Sequence, residues 1–241
     1  MLGSDGPSST VRSILVGSEA AKASPLEITH SIMQVCYNDA EKSKHVRSLS
    51  PVFSFAVSPS NVSNFITIQD VSQVNKPETW VFTLVVVKSG FPDPTLDDAG
   101  RLKVLKEQCG GLAEPWRSSI LWIPDDTKVS QNRLGYWVPT PWDNRDGRTT
   151  LVGDAAHPMP PHRGQGLNNC IADVAKLVEG LVAIREGKTT LGEAVDKYEK
   201  EMIPRTAQEV MASKGNAMAI LSFEKFMSSP LMKQGIAAGN T

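Results

Sequence analysis

The sequence predicts an α/β fold of the α+β kind, with strand-to-helix units near both ends, a mostly antiparallel sheet interleaved between them, and a helical C-terminus. Three observations predict it. β-Branched and aromatic runs separated by turn residues fill the middle of the chain. Near residue 150 a short apolar strand runs into a Gly/Pro-rich loop and then an amphipathic helix. At the N-terminus, Gly and Pro punctuation leads directly into a helical segment.

Taken in order, Gly3-Ser4-Asp5-Gly6-Pro7 reads as a tight turn, and Ser8 or Ser9 is placed to cap the helix that follows. Val52–Val57, Asn64–Ile68 and Trp80–Val87 read as antiparallel strands. A helix fits Asp97–Gln108, with Gly110-Gly111 ending it. Ser119–Ile123 and Gly135–Val138 read as two further strands, and Thr149–Val152 as a short buried one. Leu167, Ile171, Val174, Val178 and Leu181 recur at three- and four-residue steps, one face of a helix. Further helices fill the remainder, with Pro204 and Pro230 as expected breaks.

Bulk properties narrow the function classes. With 241 residues, 40% hydrophobic and 21% charged, the chain has the make-up of a globular protein with a sizeable core. A net charge of −1 points to no nucleic-acid partner and no anionic membrane surface. Cys36, Cys109 and Cys170 are scattered, giving neither a disulfide framework nor metal-ligand spacing. No secretory signal and no bilayer-length apolar run is legible, so a cytoplasmic location is expected. The sequon Asn61-Val62-Ser63 is read as chance.

The chemistry concentrates in Gly153-Asp154-Ala155-Ala156-His157-Pro158-Met159-Pro160-Pro161-His162-Arg163-Gly164-Gln165-Gly166-Leu167-Asn168-Asn169. A buried strand delivers Asp154 to the carboxyl edge of a sheet, where α/β proteins place ligands, and a carboxylate there suits sugar or ribityl hydroxyls. Gly164 and Gly166 let the backbone approach a flat ligand. The helix from Leu167 then directs free N–H groups and the positive end of its dipole into the loop. The alternative is a generic proline-rich connection, which this combination of features disfavours.

This stretch closely resembles the second FAD-binding motif of the single-component (class A) flavoprotein monooxygenases, the family of salicylate and hydroxybenzoate hydroxylases and of many fungal secondary-metabolite enzymes. Gly3-Ser4-Asp5-Gly6-x-x-Ser9-x-Val11-Arg12 resembles the same family's Asp-Gly motif, implicated in FAD and NAD(P)H handling. The resemblance implies an incomplete FAD-binding Rossmann-like domain (residues 1–12 and 136–212), a substrate-binding sheet (13–135) and a C-terminal helical segment (213–241). It implies that Asp154 binds the ribityl or pyrophosphate portion of FAD. Leu167 and Asn168 would offer backbone N–H groups to the ring's pyrimidine edge, Gly166 would open the approach, and Pro161 would flank the ring. Asp5 joins the cofactor site through the Asp-Gly motif. The implied activity inserts one oxygen atom from O2 into an aromatic or polyketide-like small molecule, with FAD as cofactor and NAD(P)H as co-substrate. The motifs identify no catalytic base and fix no oligomeric state.

The family's opening strand, Gly-x-Gly-x-x-Gly turn and acidic ribose ligand are not among these residues. Two expectations follow: this chain alone binds FAD poorly or not at all, and apolar helix faces are left with nothing to pack on. Non-redox derivatives of the fold, either a cyclase or isomerase or an inactive binding protein, stay open as an alternative, as does another flavin-dependent oxidoreductase.

Other residues read more plainly. His157 and His162, five apart in a proline-interrupted loop, are expected to be satisfied or solvent-facing rather than metal ligands. Arg163 is either a phosphate or carboxylate contact or simply solvated. Arg12 divides between orienting Asp5, meeting a phosphate and a surface role. Cys170 is expected to pack. Trp80, Phe82, Trp122, Tyr136 and Trp137 are expected mainly in the core, with a substrate pocket as the alternative.

Overall fold

The computed structural model describes residues Met1–Ser228. In chain order the elements are β1 (Leu2–Gly3), α1 (Thr10–Val16), β2 (Ser24–Cys36), α2 (Ala40–Val46), β3 (Phe53–Val57), β4 (Ser63–Asp70) and β5 (Val81–Ser89). These are followed by α3 (Asp98–Gln108), α4 (Trp116–Leu121), β6 (Ser130–Tyr136), β7 (Thr150–Leu151), α5 (Gly166–Arg185), α6 (Leu191–Ala219) and α7 (Phe223–Met227). The part of the expected C-terminal segment beyond Ser228, Pro230 included, lies outside the described residues.

The chain divides into two units: Met1–Leu26 with Gly135–Ala217, and Glu27–Leu134 with Met218 onward. The second unit is built on the mostly antiparallel sheet, in the order β3-β4-β5-β2-β6. Strand β5 pairs antiparallel with β2 from Val81↔Cys36 to Ser89↔Ile28, and with β4 through Phe65↔Val85. Alternation gives the sheet two faces. On one, Met33, Val35, Ile66, Phe82, Leu84 and Val86 close a core with Leu102 and Leu105 of α3 and Ile120 of α4. On the other, Ile32, Val85, Phe65 and Phe55 lie in register as one partly exposed row. Phe55 packs on Phe65 at 4.2 Å between ring centroids and meets the edge of Phe226 at 5.4 Å.

The first unit holds the parallel pair β1–β7, with Leu2 opposite Thr150 and Gly3 opposite Leu151. Its core is Leu151, Ala155, Ala156, Tyr198 and Met202. Ser9 caps α1 and Asp97 caps α3, as their side-chain chemistry predicts.

Two expectations are corrected. Ser119–Ile123 is not a strand: Trp116–Leu121 is helical, with Ile120 buried and Ser119 bonded to Trp116 O and Asn64. A short apolar run does not distinguish the two states, and packing on the sheet selects the helix. Pro204 does not break α6, which runs through it. Pro204 and Lys200, whose carbonyl loses its partner, both lie on the exposed side, where the vacated bond is open to solvent. Among the described residues, no helix is long and apolar enough to cross a membrane.

Candidate functional site

Strand β7 ends in a buried tight turn in which Gly153 has φ +61 and Asp154 is the exposed member between buried neighbours. Gly153 has no room to be anything else. A Cβ there would need the left-handed region and would sit 3.0 Å from Cys170 Sγ, giving Cys170 its packing role. The proline loop closes at Gly164, φ +65, and delivers Gly166 to the start of α5. A Cβ built on Gly166 would lie 4.0 Å from Asp154 Oδ1, so the carboxylate and the amino end of α5 face the same space. No side chain caps that end: Gln165, at the capping position, makes no such bond. Leu167 and Asn168 are exposed on that first turn, where helix geometry leaves backbone N–H groups without an intrahelical acceptor. Pro161 is exposed at the loop's tip.

The N-terminal turn is tied to this site by Arg12. Its guanidinium is buried, although a surface role was among its expected readings. It donates from Nε to Ala21 O (2.9 Å), from Nη1 to Ala155 O (2.8 Å) and more weakly to Asp154 O (3.5 Å), and from Nη2 to Pro7 O (2.6 Å), and it lies over the Trp137 ring. Only a planar fork serves carbonyls from three chain segments together. Asp5, by contrast, spends its carboxylate locally. It accepts from Ser9 Oγ, Thr10 N and Val11 N at the start of α1, and the Ser9 bond leads in holding its pKa below the usual value.

Helix α5 is turned inside out relative to a simple amphipathic reading. Its buried residues are Asn169 and Asp173, while Leu167, Ile171, Val174, Val178 and Leu181 are 49 to 70% exposed. The expected apolar face is thus present and uncovered. Below it, a cavity of about 290 Å³ is lined by Leu177, Leu181, Ile184, Leu191 and Val195, with Met1 and Leu2 at its rim.

Sequence reasoning missed the buried polar cluster on the inner side of α5. Asp173 accepts from Gly153 N (2.9 Å), His157 Nε2 (2.7 Å) and Arg205 Nη2 (2.8 Å). Burial opposes its ionisation, yet the bonds from His157, Arg205 and Gly153 outweigh that and hold the carboxyl below its ordinary value. His157 is fully enclosed, and its Nδ1 has no protein partner. Arg163 pairs with Glu209 at 2.8 Å, with both side chains about one-third exposed. Of the aromatic residues, Trp80, Phe82 and Trp137 are buried, Trp122 packs on the sheet core as a partly buried cap of α4, and Tyr136 bonds Lys214 at 2.8 Å. The i, i+4 spacing of Asn169 and Asp173 was the one legible hint of a second helix face.

A parallel strand thus ends at an acid beside an uncapped helix, in a chain that also builds a mostly antiparallel sheet. Residues 127–213 match the family described as the FAD binding domain. Over 237 residues the chain is 44% identical to "FAD-dependent monooxygenase phnB" of Penicillium herquei, covering 98% of this chain and 58% of that protein. It is 34% identical over 237 residues to "FAD-dependent monooxygenase cctM" of Talaromyces islandicus, covering 98% and 59%. Klebsiella pneumoniae HpxO, solved with FAD and uric acid, shares the fold at TM-score 0.70 and 15% identity, over 97% of this chain and 54% of that one. The chain spans somewhat under two thirds of the length of these relatives.

Proposed function

We propose that this chain forms the ring-facing and substrate-facing portion of an FAD-dependent monooxygenase, which inserts one oxygen atom from O2 into an aromatic or polyketide-like small molecule in secondary metabolism, at the expense of NAD(P)H. The observation that carries the reading is the exposed Asp154 carboxylate set against the uncapped amino end of α5. These residues fit FAD in kind. Asp154 accepts from the polyol hydroxyls, and the N–H groups of Leu167 and Asn168 meet the pyrimidine edge of the ring, where the reduced cofactor carries negative charge. Gly166 clears the approach and Pro161 flanks the ring. Asp5 contributes through the turn that Arg12 clamps beneath the site, since its carboxylate already serves α1. The bound cofactor supplies the redox and oxygen chemistry, while the chain orients it and excludes water.

The substrate side of the reading rests on the row Ile32, Val85, Phe65 and Phe55. Such an apolar lane suits a flat ring better than a sugar or a peptide. Tyr136, whose pKa is lowered chiefly by the hydrogen bond from Lys214, is a phenol suited to proton transfer in the same enzyme.

Flavin titration tests the proposal. The chain is expected to quench FAD fluorescence only at high cofactor concentration, because the glycine-rich phosphate turn is not among its 241 residues. Asp154→Ala is expected to weaken the residual binding by about tenfold or more, the worth of a hydrogen bond to a charged group. Tight stoichiometric flavin would overturn the expected weak binding. An Asp154→Ala chain that binds like the parent would overturn the assigned site.

A further inference from the structure

The stretch from Gly153 to Gly166 has two ends, and both are held by one buried ion pair. At the strand end, Asp173 Oδ2 accepts from Gly153 N and His157 Nε2, pinning the backbone just before Asp154 and the side chain just after it. At the helix end, Arg205 Nη1 donates to Asn169 Oδ1 (2.6 Å), and Asn169 Nδ2 donates in turn to Gln165 O (2.9 Å), the carbonyl that opens α5. The two ends meet where Arg205 Nη2 bonds Asp173 Oδ1 at 2.8 Å. Glu201 steadies the guanidinium from the far side, with Oε1 2.7 Å from Nε.

This arrangement does more than fill a core. Asp173 is wholly enclosed and its carboxylate takes three donors, so the geometry around it is over-determined. Arg205 uses the planarity of its guanidinium to reach Asp173 and Asn169 from adjacent nitrogens, which a single ammonium point cannot do. The cluster adds a side-chain link from Gly153 to Gln165 to the backbone of α5, whose Asn169 N also bonds Gln165 O at 3.0 Å.

We propose that the Asp173–Arg205 pair is the positioning device of the flavin loop: it sets the distance between the Asp154 carboxylate and the free amides of α5, so that one ligand meets both. Asp173 and Arg205 act through Gly153, His157 and Asn169, and neither touches the ligand. The assignment rests on the flavin reading of the loop given above, and the test separates the two.

The test is backbone hydrogen exchange on the ligand-free chain, read residue by residue, followed by FAD titration of the same samples. In Asp173→Asn, exchange is expected to quicken by about tenfold or more at both ends, near Gly153–His157 and near Gln165–Asn169, while the β2–β5 amides keep parent rates. Arg205→Lys is expected to free the Gln165–Asn169 end and leave Gly153 protected. Asn169→Ala, a milder change that keeps the ion pair, is expected to reproduce the Arg205→Lys pattern should either charge variant fail to fold. FAD affinity is expected to fall with loop protection across the series. Exchange that rises evenly through the unit, or only beside the altered residue, overturns the proposal, because a plain stability role would do that. If the parent chain shows no FAD binding, as the missing phosphate turn allows, the exchange pattern alone decides whether the ion pair couples the two loop ends.

Discussion

Each unit of this chain has a buried apolar core, but the regular apolar faces of their elements meet different fates. In the sheet unit, Met33, Val35, Ile66, Phe82 and Leu84 meet Leu102, Leu105 and Ile120, and water is shut out. In the unit that holds the proline loop, α5 turns Asn169 and Asp173 inward and leaves Ile171, Val178 and Leu181 at the surface. Both elements have a regular apolar period. The difference teaches that a period says which residues share a face, while the cover on that face comes from elsewhere in the fold. A polar inner face survives because each of its groups is matched: Asp173 by three donors, Asn169 by Arg205 and Gln165.

Paired truncations would break this contrast most directly. Phe82→Ala, in the enclosed core, is expected to cost about 3–5 kcal/mol, whereas Val178→Ala on the α5 stripe is expected to cost no more than about 0.5 kcal/mol. Urea unfolding of the two variants measures both, and equal losses would refute the contrast between these faces.

Next in size is the buried polar face itself. Asp173→Asn removes the buried partner of an ion pair whose arginine is partly exposed and is expected to destabilise by about 2 kcal/mol at neutral pH. The pH dependence has a definite sign. The folded carboxyl titrates below its ordinary 3.8, so its stabilisation is complete above that value and is lost as pH falls through the lower folded value. Thermal unfolding of the parent should therefore show an acid limb that is flatter in Asp173→Asn.

Arg12→Lys sharpens the comparison from the other side of the turn. Lysine keeps the charge but cannot serve Pro7, Ala21 and Ala155 together, and a loss of about 2 kcal/mol is expected from two missing hydrogen bonds. Arg12→Ala should cost more than Arg12→Lys in the same denaturation experiment, and the reverse order would contradict the fork geometry. The smallest effect is expected at the exposed stripe. Replacing Ile171, Val178 and Leu181 with Ser should leave the unfolding midpoint almost unchanged, within about 0.5 kcal/mol per site, while lowering the binding of a hydrophobic dye.

Much of the fold was legible locally. The runs at Phe53–Val57, Ser63–Asp70 and Val81–Ser89 carry β-branched and aromatic side chains between turn residues, and they pair as such residues do. Ser9 announces its helix because capping is a contact within a few residues. Ser119–Ile123 was illegible because five residues of mixed apolar character satisfy strand and helix alike until a sheet packs on Ile120. In the site, Asp154, Gly164 and Gly166 were readable as a motif. Asp173 was not, because its partners Gly153, His157 and Arg205 stand 20, 16 and 32 residues away. Arg12 divided between orienting Asp5, meeting a phosphate and a surface role, since nothing in its neighbourhood announces carbonyls from Ala21 and Ala155.

By itself the sequence determined the local chemistry: which residues cap, which alternate, which turn needs glycine, and which loop carries an acid ahead of a helix. Those are interactions over a few bonds, and backbone geometry enforces them wherever the segment lies. Tertiary structure alone decided that α5 buries its polar side, that Asp173 meets Gly153, His157 and Arg205, and that Arg12 joins two turns far apart in the chain. Such contacts depend on desolvation and on partners distant in sequence, and a buried charge has no preferred place until those partners are assembled around it.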